Sequence, residues 1–167
     1  MKAGISQRVI DRTFFENLEP DEQRNWQYFS AEAFYRYPIS RSLRLRSGVS
    51  FAGRNDNDTG RFSYQEISPS LELRYKTERV LLNLSGSYVD RNFQNLQATN
   101  TDNEEIGLLN LKYYRFRLAL EYPITKHLTL TGDSYLISRV SNKTKLNSLV
   151  FRGYENYYTG IGLKMNL

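Results

Sequence analysis

Residues that could support chemistry are few in this chain of 167 residues. Cysteine is absent, which excludes disulfides, thiolate metal sites and cysteine nucleophiles. The single histidine, His127, could act as a general base beside a serine. It follows Pro123 in a predicted short turn, so we favour an exposed turn residue. The run Asn55-Asp-Asn-Asp-Thr-Gly60 has calcium-binding residue types, but it lacks the full ligand spacing and the closing glutamate. A solvated hairpin loop is the favoured interpretation.

Charged side chains that alternate with apolar ones form the main candidate site. In residues 113–122, Tyr114, Phe116 and Leu118 are separated by Arg115 and Arg117. A strand places successive side chains on opposite faces, so this segment has one apolar and one charged face. The same alternation in other segments predicts an interior network of ion pairs, formed by Arg44, Arg46, Glu66, Glu72, Arg74, Arg115, Arg117, Glu121 and Asp133.

Eight such segments must position this network. They begin with a loosely alternating strand near residues 3–12, and the sixth is expected to start near Ile106. Short turns are predicted near Pro38, Thr77 and Pro123. Long polar loops are predicted at residues 14–25, 53–61, 91–105 and 138–153. Pro69 lies inside the fourth strand, where it cannot donate to a ladder, and it predicts a bulge or a local break in pairing.

Composition favours a membrane-embedded barrel of a single domain, residues 1–167. The net charge is +5 without a run of like charges, so we predict no nucleic-acid partner. No apolar run approaches the ~18 residues of a transmembrane helix, but barrel strands are only half apolar and escape that test. Burying these charged side chains in the core of a soluble protein would be energetically costly. Turning the apolar face to lipid and pairing the charges inside removes that conflict. We therefore predict an all-β, antiparallel up-and-down transmembrane β-barrel of about eight strands, with a polar interior and a lipid-facing apolar exterior.

Tyrosines and a tryptophan near the predicted strand ends suggest an aromatic girdle at the membrane interfaces. Such rings favour interfaces because the ring is apolar and its tip is polar. The predicted girdle residues are Tyr35, Tyr37, Tyr75 and Tyr122 beside the short turns, with Trp26 and Tyr157 toward the opposite ends.

This strand and loop pattern resembles the small bacterial outer-membrane β-barrels, the eight-stranded class that includes the OmpA transmembrane domain and OmpX. The ending Tyr157-x-Thr-x-Ile-x-Leu-x-Met-x-Leu167 is similar to their C-terminal assembly signal, although Leu167 replaces the usual aromatic residue. The resemblance implies a Gram-negative outer membrane, a signal peptide already removed, and a non-enzymatic structural or adhesive role. It also implies contact with outer-membrane lipid, lipopolysaccharide and the barrel-assembly machinery, with a protein or glycan partner at the loops and no cofactor.

Two alternatives stay open. The chain could be a porin or a solute or polysaccharide export barrel, or a segment of a larger one. The resemblance also includes outer-membrane enzymes that modify lipid A, whose histidine lies near the outer leaflet. His127 is predicted at the periplasmic end, which disfavours that activity. The predicted loop aromatics Phe14, Phe15, Phe93 and Phe151 are further candidates for contact with a partner or lipopolysaccharide.

Overall fold

The chain forms one antiparallel sheet in a computed structural model, which describes residues 2–12, 24–144 and 153–165, with side chains from residue 26 onward. The strands follow one another in sequence order. They are β1 (Lys2–Arg12), β2 (Arg24–Pro38), β3 (Leu43–Asp56), β4 (Tyr64–Lys76), β5 (Leu81–Thr99), β6 (Glu105–Pro123), β7 (Leu128–Ser141) and β8 (Tyr154–Met165). The predicted all-β, up-and-down arrangement is confirmed. None of the described residues belongs to a helix long and apolar enough to span a bilayer.

Strands β1 and β8 are the two edges of this sheet. Within the described ranges, every strand pairing joins neighbours in sequence, and none joins β1 to β8. The described sheet is therefore open, and closure into a barrel is not observed.

The three short turns lie where the sequence predicts them. Between β2 and β3, the Ser40 hydroxyl accepts hydrogen bonds from the N–H groups of Ser42 and Leu43. Between β4 and β5, the Thr77 hydroxyl similarly accepts from the N–H of Val80. These local side-chain bonds satisfy backbone donors that the ladder leaves unpaired, and they fix each turn.

The prediction of a loop at residues 91–105 is wrong for most of these residues. Strand β5 continues to Thr99 and β6 begins at Glu105, so a five-residue turn replaces the loop. The register shifts between Asn92 and Gln97. This irregularity moves the buried positions from odd numbers, such as Phe93, to even ones, such as Leu96. A period of two therefore breaks within the strand, which hid it from sequence analysis.

Pro69 interrupts pairing on one side only. It lies opposite Val49 in β3. On the β5 side the pairing runs from Ile67–Asp90 to Ser70–Ser87, with no partners between and no change of register. The predicted local break in pairing is confirmed, and the register of β4 and β5 is the same on both sides of it.

The other predicted loops are shorter than expected or lie partly outside the described residues. Strand β3 extends to Asp56 and β7 to Ser141, so strand replaces part of the loops 53–61 and 138–153. Most of the loop 14–25 and residues 145–152 fall outside the described part, as do Phe14, Phe15, Phe151 and Leu167.

The sheet has two chemically distinct faces. The outer face carries Tyr114, Phe116 and Leu118 of β6, while the inner face carries Arg115 and Arg117. One groove on the inner face is lined by residues from β3 through β7, so this face is concave. Cross-strand registers without slips keep this division constant through the centre of the sheet.

The buried core lies at the loop end of the inner face. This hairpin core belongs to the extended β5–β6 hairpin, where Leu109 and Ala98 are 0% exposed. Phe62 of the β3–β4 connection and Tyr64, the first residue of β4, pack against it. Its members are Val89, Phe93, Leu96, Ala98, Leu109, Leu111 and Tyr113.

Candidate functional site on the inner face

A polar row crosses the middle of the inner face. Strand register places Arg46 opposite Glu72, Glu72 opposite Ser85, and Ser85 opposite Arg117. Each of these residues follows the two-residue alternation of its own strand, so the row forms without any irregular backbone. The predicted charged face is therefore one continuous surface in the structure.

Ion pairs join neighbouring strands along this surface. The Arg46 guanidinium lies 2.7 Å from Glu32 and 3.7 Å from Glu72. Arg117 donates two hydrogen bonds to the Asp133 carboxylate, at 3.0 and 2.9 Å. This fork arrangement matches the planar geometry of both groups. The Arg117 side chain nevertheless keeps 62% of its surface exposed, so water reaches this pair.

The structure pairs five of the nine predicted network residues, namely Arg46, Glu66, Glu72, Arg117 and Asp133. The other four lie on the inner face without an ion pair to any described residue: Arg44, Arg74, Arg115 and Glu121. Arg91, the partner of Glu66, is absent from the predicted network because its segment was predicted to be a loop. Its spacing of two residues from Val89 was the signal that could have placed it.

The Arg91–Glu66 pair is the most enclosed of the four. Its atoms approach to 2.7 Å, and the two side chains keep only 23% and 19% of their surface exposed. The Arg91 guanidinium also lies over the rings of Tyr64 and Tyr113, at 4.3 and 5.4 Å from their centres. Aromatic faces attract a cation, so the pair is held on several sides.

A second arginine orders the loop end beside it. Arg54 lies 4.2 Å above the Trp26 ring and donates two hydrogen bonds to the Phe62 carbonyl, at 2.9 and 2.7 Å. Trp26 therefore lies on the inner face, opposite to the girdle tyrosines, because its ring stacks on a guanidinium. Together, Arg54, Arg91 and the hairpin core fill the loop end of the inner face.

Asp56 fixes the connection between β3 and β4. Its carboxylate accepts hydrogen bonds from the Thr59 hydroxyl at 2.6 Å and the Phe62 N–H at 3.1 Å. Burial alone would raise the pKa of Asp56, but the bonds from Thr59, Phe62 and the neighbouring backbone outweigh it and leave the pKa below its usual value. The supposed calcium loop is thus closed by its own hydrogen bonds. In the described ranges, no three acidic or histidine side chains are placed to hold a metal ion.

The remaining predicted girdle residues lie on the outer face. Tyr37 pairs with Leu45, and Tyr122 with Leu130, both beside the short turns. Five girdle tyrosines are exposed: Tyr35, Tyr37, Tyr75, Tyr122 and Tyr157. His127 lies exposed in the β6–β7 turn, where its backbone N–H donates to the Thr125 hydroxyl.

Comparison of the chain with protein-family models, with curated proteins and with solved structures gave no match. The resemblance to small outer-membrane barrels therefore stays a prediction that rests on the strand pattern.

Proposed function

We propose that this chain is a membrane-embedded β-sheet of a bacterial outer-membrane barrel, with lipid on the outer face and a polar interior on the inner face. The observation that carries the proposal is the separation of the two faces. Large apolar side chains are exposed on one face while the ion pairs collect on the other.

Exposure of the outer face argues for a covering layer. Phe116 and Leu118 are 53% and 43% exposed. Leu136, opposite Phe116, and Leu71, on the far side of Gly86, are also exposed. Monomeric soluble proteins rarely expose contiguous apolar patches larger than a few hundred Å². Hydrocarbon is a suitable cover because it needs no hydrogen bonds from these side chains.

The apolar band has the height of a bilayer. On β6 it runs from Tyr114 to Tyr122, nine residues, within the ~9–11 residues that a tilted spanning strand needs. Above Tyr114 the outer face turns polar, because Asn110 donates to Asp90 at 2.6 Å and to Asn92 at 2.7 Å. Tyrosines at both ends of the band suit the two interfaces.

The same arrangement supports a proposed role for the loop end. The extended β5–β6 hairpin and the connection closed by Asp56 are ordered by the hairpin core, Arg54 and Arg91. They would form a stiff protrusion beyond the membrane, which is the surface we assign to a structural or adhesive role. The interior ion pairs need no bound cofactor in this proposal.

A pair of neighbouring variants tests the membrane orientation. Arginine on the lipid face at mid-membrane costs about 2–4 kcal/mol, whereas a charge facing a polar interior does not. Leu118→Arg should therefore greatly weaken folding into lipid vesicles, while Ala119→Arg, on the inner face opposite Asp133, should not. Urea titration of vesicle-inserted protein and heat-dependent gel migration would measure this. Equal effects of the two variants, or a folded monomer in buffer without detergent, would refute the proposal.

The open sheet favours a second candidate function, a solute pore. Because β1 and β8 do not pair within the described residues, these strands could belong to a wider barrel, and the Arg117–Asp133 pair stays open to water. Single-channel recording in planar bilayers separates the two functions. Stable openings of porin size would support the pore, whereas a closed eight-stranded barrel filled by side chains should give none.

A further inference from the structure

A group of arginines at the short-turn end of the inner face forms no ion pairs with described acidic residues. We call Arg36, Arg44 and Arg74 the basic cluster. Arg44 lies directly opposite Arg74 across β3 and β4, and Arg36 lies directly opposite Arg46 across β2 and β3. All four line one cavity. Like charges directly opposite each other destabilise a sheet, so an anion bound between the exposed side chains of the basic cluster would stabilise it.

The described residues supply little negative charge to this cavity. No member of the basic cluster forms an ion pair with a described residue. Glu72, which lines the same cavity, lies 3.7 Å from Arg46. The adjoining cavity adds two more basic side chains and one acidic one, so the two cavities together are lined by Arg36, Arg41, Arg44, Arg46, Arg74, Lys76, Glu72 and Glu78. Six basic groups against two acidic ones leave an excess of positive charge in a concave site, which attracts anions.

The guanidinium groups of the basic cluster offer donors in planar pairs, the geometry that recognises carboxylate and phosphate oxygens.

We propose that the basic cluster binds a phosphate-type oxyanion. A carboxylate offers two oxygens and one negative charge, whereas a phosphate group offers three or more oxygens and nearly two charges. The larger charge and oxygen number of a phosphate group suit three arginines that lack acidic partners. This binding site goes beyond the proposed function. The basic cluster lies on the inner face and does not depend on whether lipid covers the outer face. The phosphate could come from a free phosphate compound or from a lipid headgroup.

Binding of inorganic pyrophosphate tests this site and distinguishes the two sources. The full chain is folded in dodecyl maltoside, which carries no phosphate, and titrated with pyrophosphate by calorimetry and thermal unfolding, against chloride at equal ionic strength. Saturable binding and a raised unfolding temperature are expected if the ligand is free. A shift that appears only with micelles containing anionic phospholipid would assign the site to a headgroup.

Variants assign any binding to the basic cluster. Arg44→Gln with Arg74→Gln should weaken binding at least tenfold, and without the anion this variant should be no less stable than the wild type because repulsion is removed. Arg115→Gln is the matched control, since Arg115 also lacks an ion pair to any described residue but lies away from the cluster. This variant should bind pyrophosphate normally. Arg36→Gln serves if the double variant does not fold. No shift beyond that of chloride in either arm, or equal loss with Arg115→Gln, would overturn the proposal.

Discussion

Breaking the Arg91–Glu66 pair most directly tests how much the ion pairs of the inner face stabilise the fold. Glu66→Gln keeps the shape of the side chain but leaves the Arg91 charge without its partner. Removing one member of a buried pair costs about 3–5 kcal/mol. We expect about 3 kcal/mol, the lower end, because the two side chains still keep 23% and 19% of their surface exposed.

A double-mutant cycle separates the pair from its surroundings. Arg91→Met removes the charge but keeps an apolar side chain between Tyr64 and Tyr113. Each single variant leaves one charge unpaired, whereas Glu66→Gln with Arg91→Met leaves neither. The double variant should therefore be less destabilised than the sum of the singles, with a coupling of about 2 kcal/mol. Urea unfolding with the protein in detergent or vesicles gives these free energies.

The Arg117–Asp133 pair provides the control. It has better fork geometry, but its side chains are 62% and 38% exposed. Water screens an exposed pair, so a cycle with Arg117→Met and Asp133→Asn should give a much smaller coupling. If both cycles gave the same coupling, burial would not govern the strength of these pairs, and the reasoning would be refuted.

Three further predictions address the loop end and the packing of the sheet. Asp56→Asn should lower stability by about 1–2 kcal/mol through lost charge-assisted hydrogen bonds. Because the folded pKa of Asp56 is lowered, the wild-type advantage should be full above about pH 5 and fade as the pH falls below about 4; a pH-independent difference would contradict this. A methyl group on Gly53 would collide with the Phe29 ring, so Gly53→Ala should cost about 1–3 kcal/mol in thermal unfolding, whereas Gly132→Ala, with its nearest neighbour 3.8 Å away, should be tolerated. Leu109→Ala should cost about 2–5 kcal/mol and increase amide hydrogen exchange in the β5–β6 hairpin; unchanged exchange there would show that the hairpin core does not hold it.

Strands with an unbroken period of two were predictable from sequence. From Tyr114 to Tyr122 every second residue is large and apolar, and no other secondary structure gives that pattern. Turn chemistry at Pro38 and Pro123 then fixed where neighbouring strands meet. The assignment of charges to one face followed directly, and five of the predicted network residues do form ion pairs.

The features that the sequence does not reveal depend on long-range contacts. The segment Arg91–Thr99 is rich in polar residues and looks like a loop, yet it continues β5 because Phe93, Leu96 and Ala98 enter the hairpin core. Trp26 occurs at a strand end, where a girdle residue would lie, but Arg54 holds its ring on the inner face. Neither partner is close in sequence, so no local pattern could reveal these contacts.

The central claim, that lipid covers the outer face and water reaches the inner one, can be measured residue by residue along β6. The chain has no cysteine, so single cysteine variants at positions 115 to 120 each accept one spin label. With the protein in vesicles, labels at 116, 118 and 120 should be accessible to oxygen, which partitions into lipid, and those at 115, 117 and 119 to a water-soluble nickel complex. The two accessibilities should alternate with a period of two and opposite phase. Labels at 116, 118 and 120 that are reached by the nickel complex, or by neither reagent, would show that the outer face is covered by water or by protein rather than by lipid.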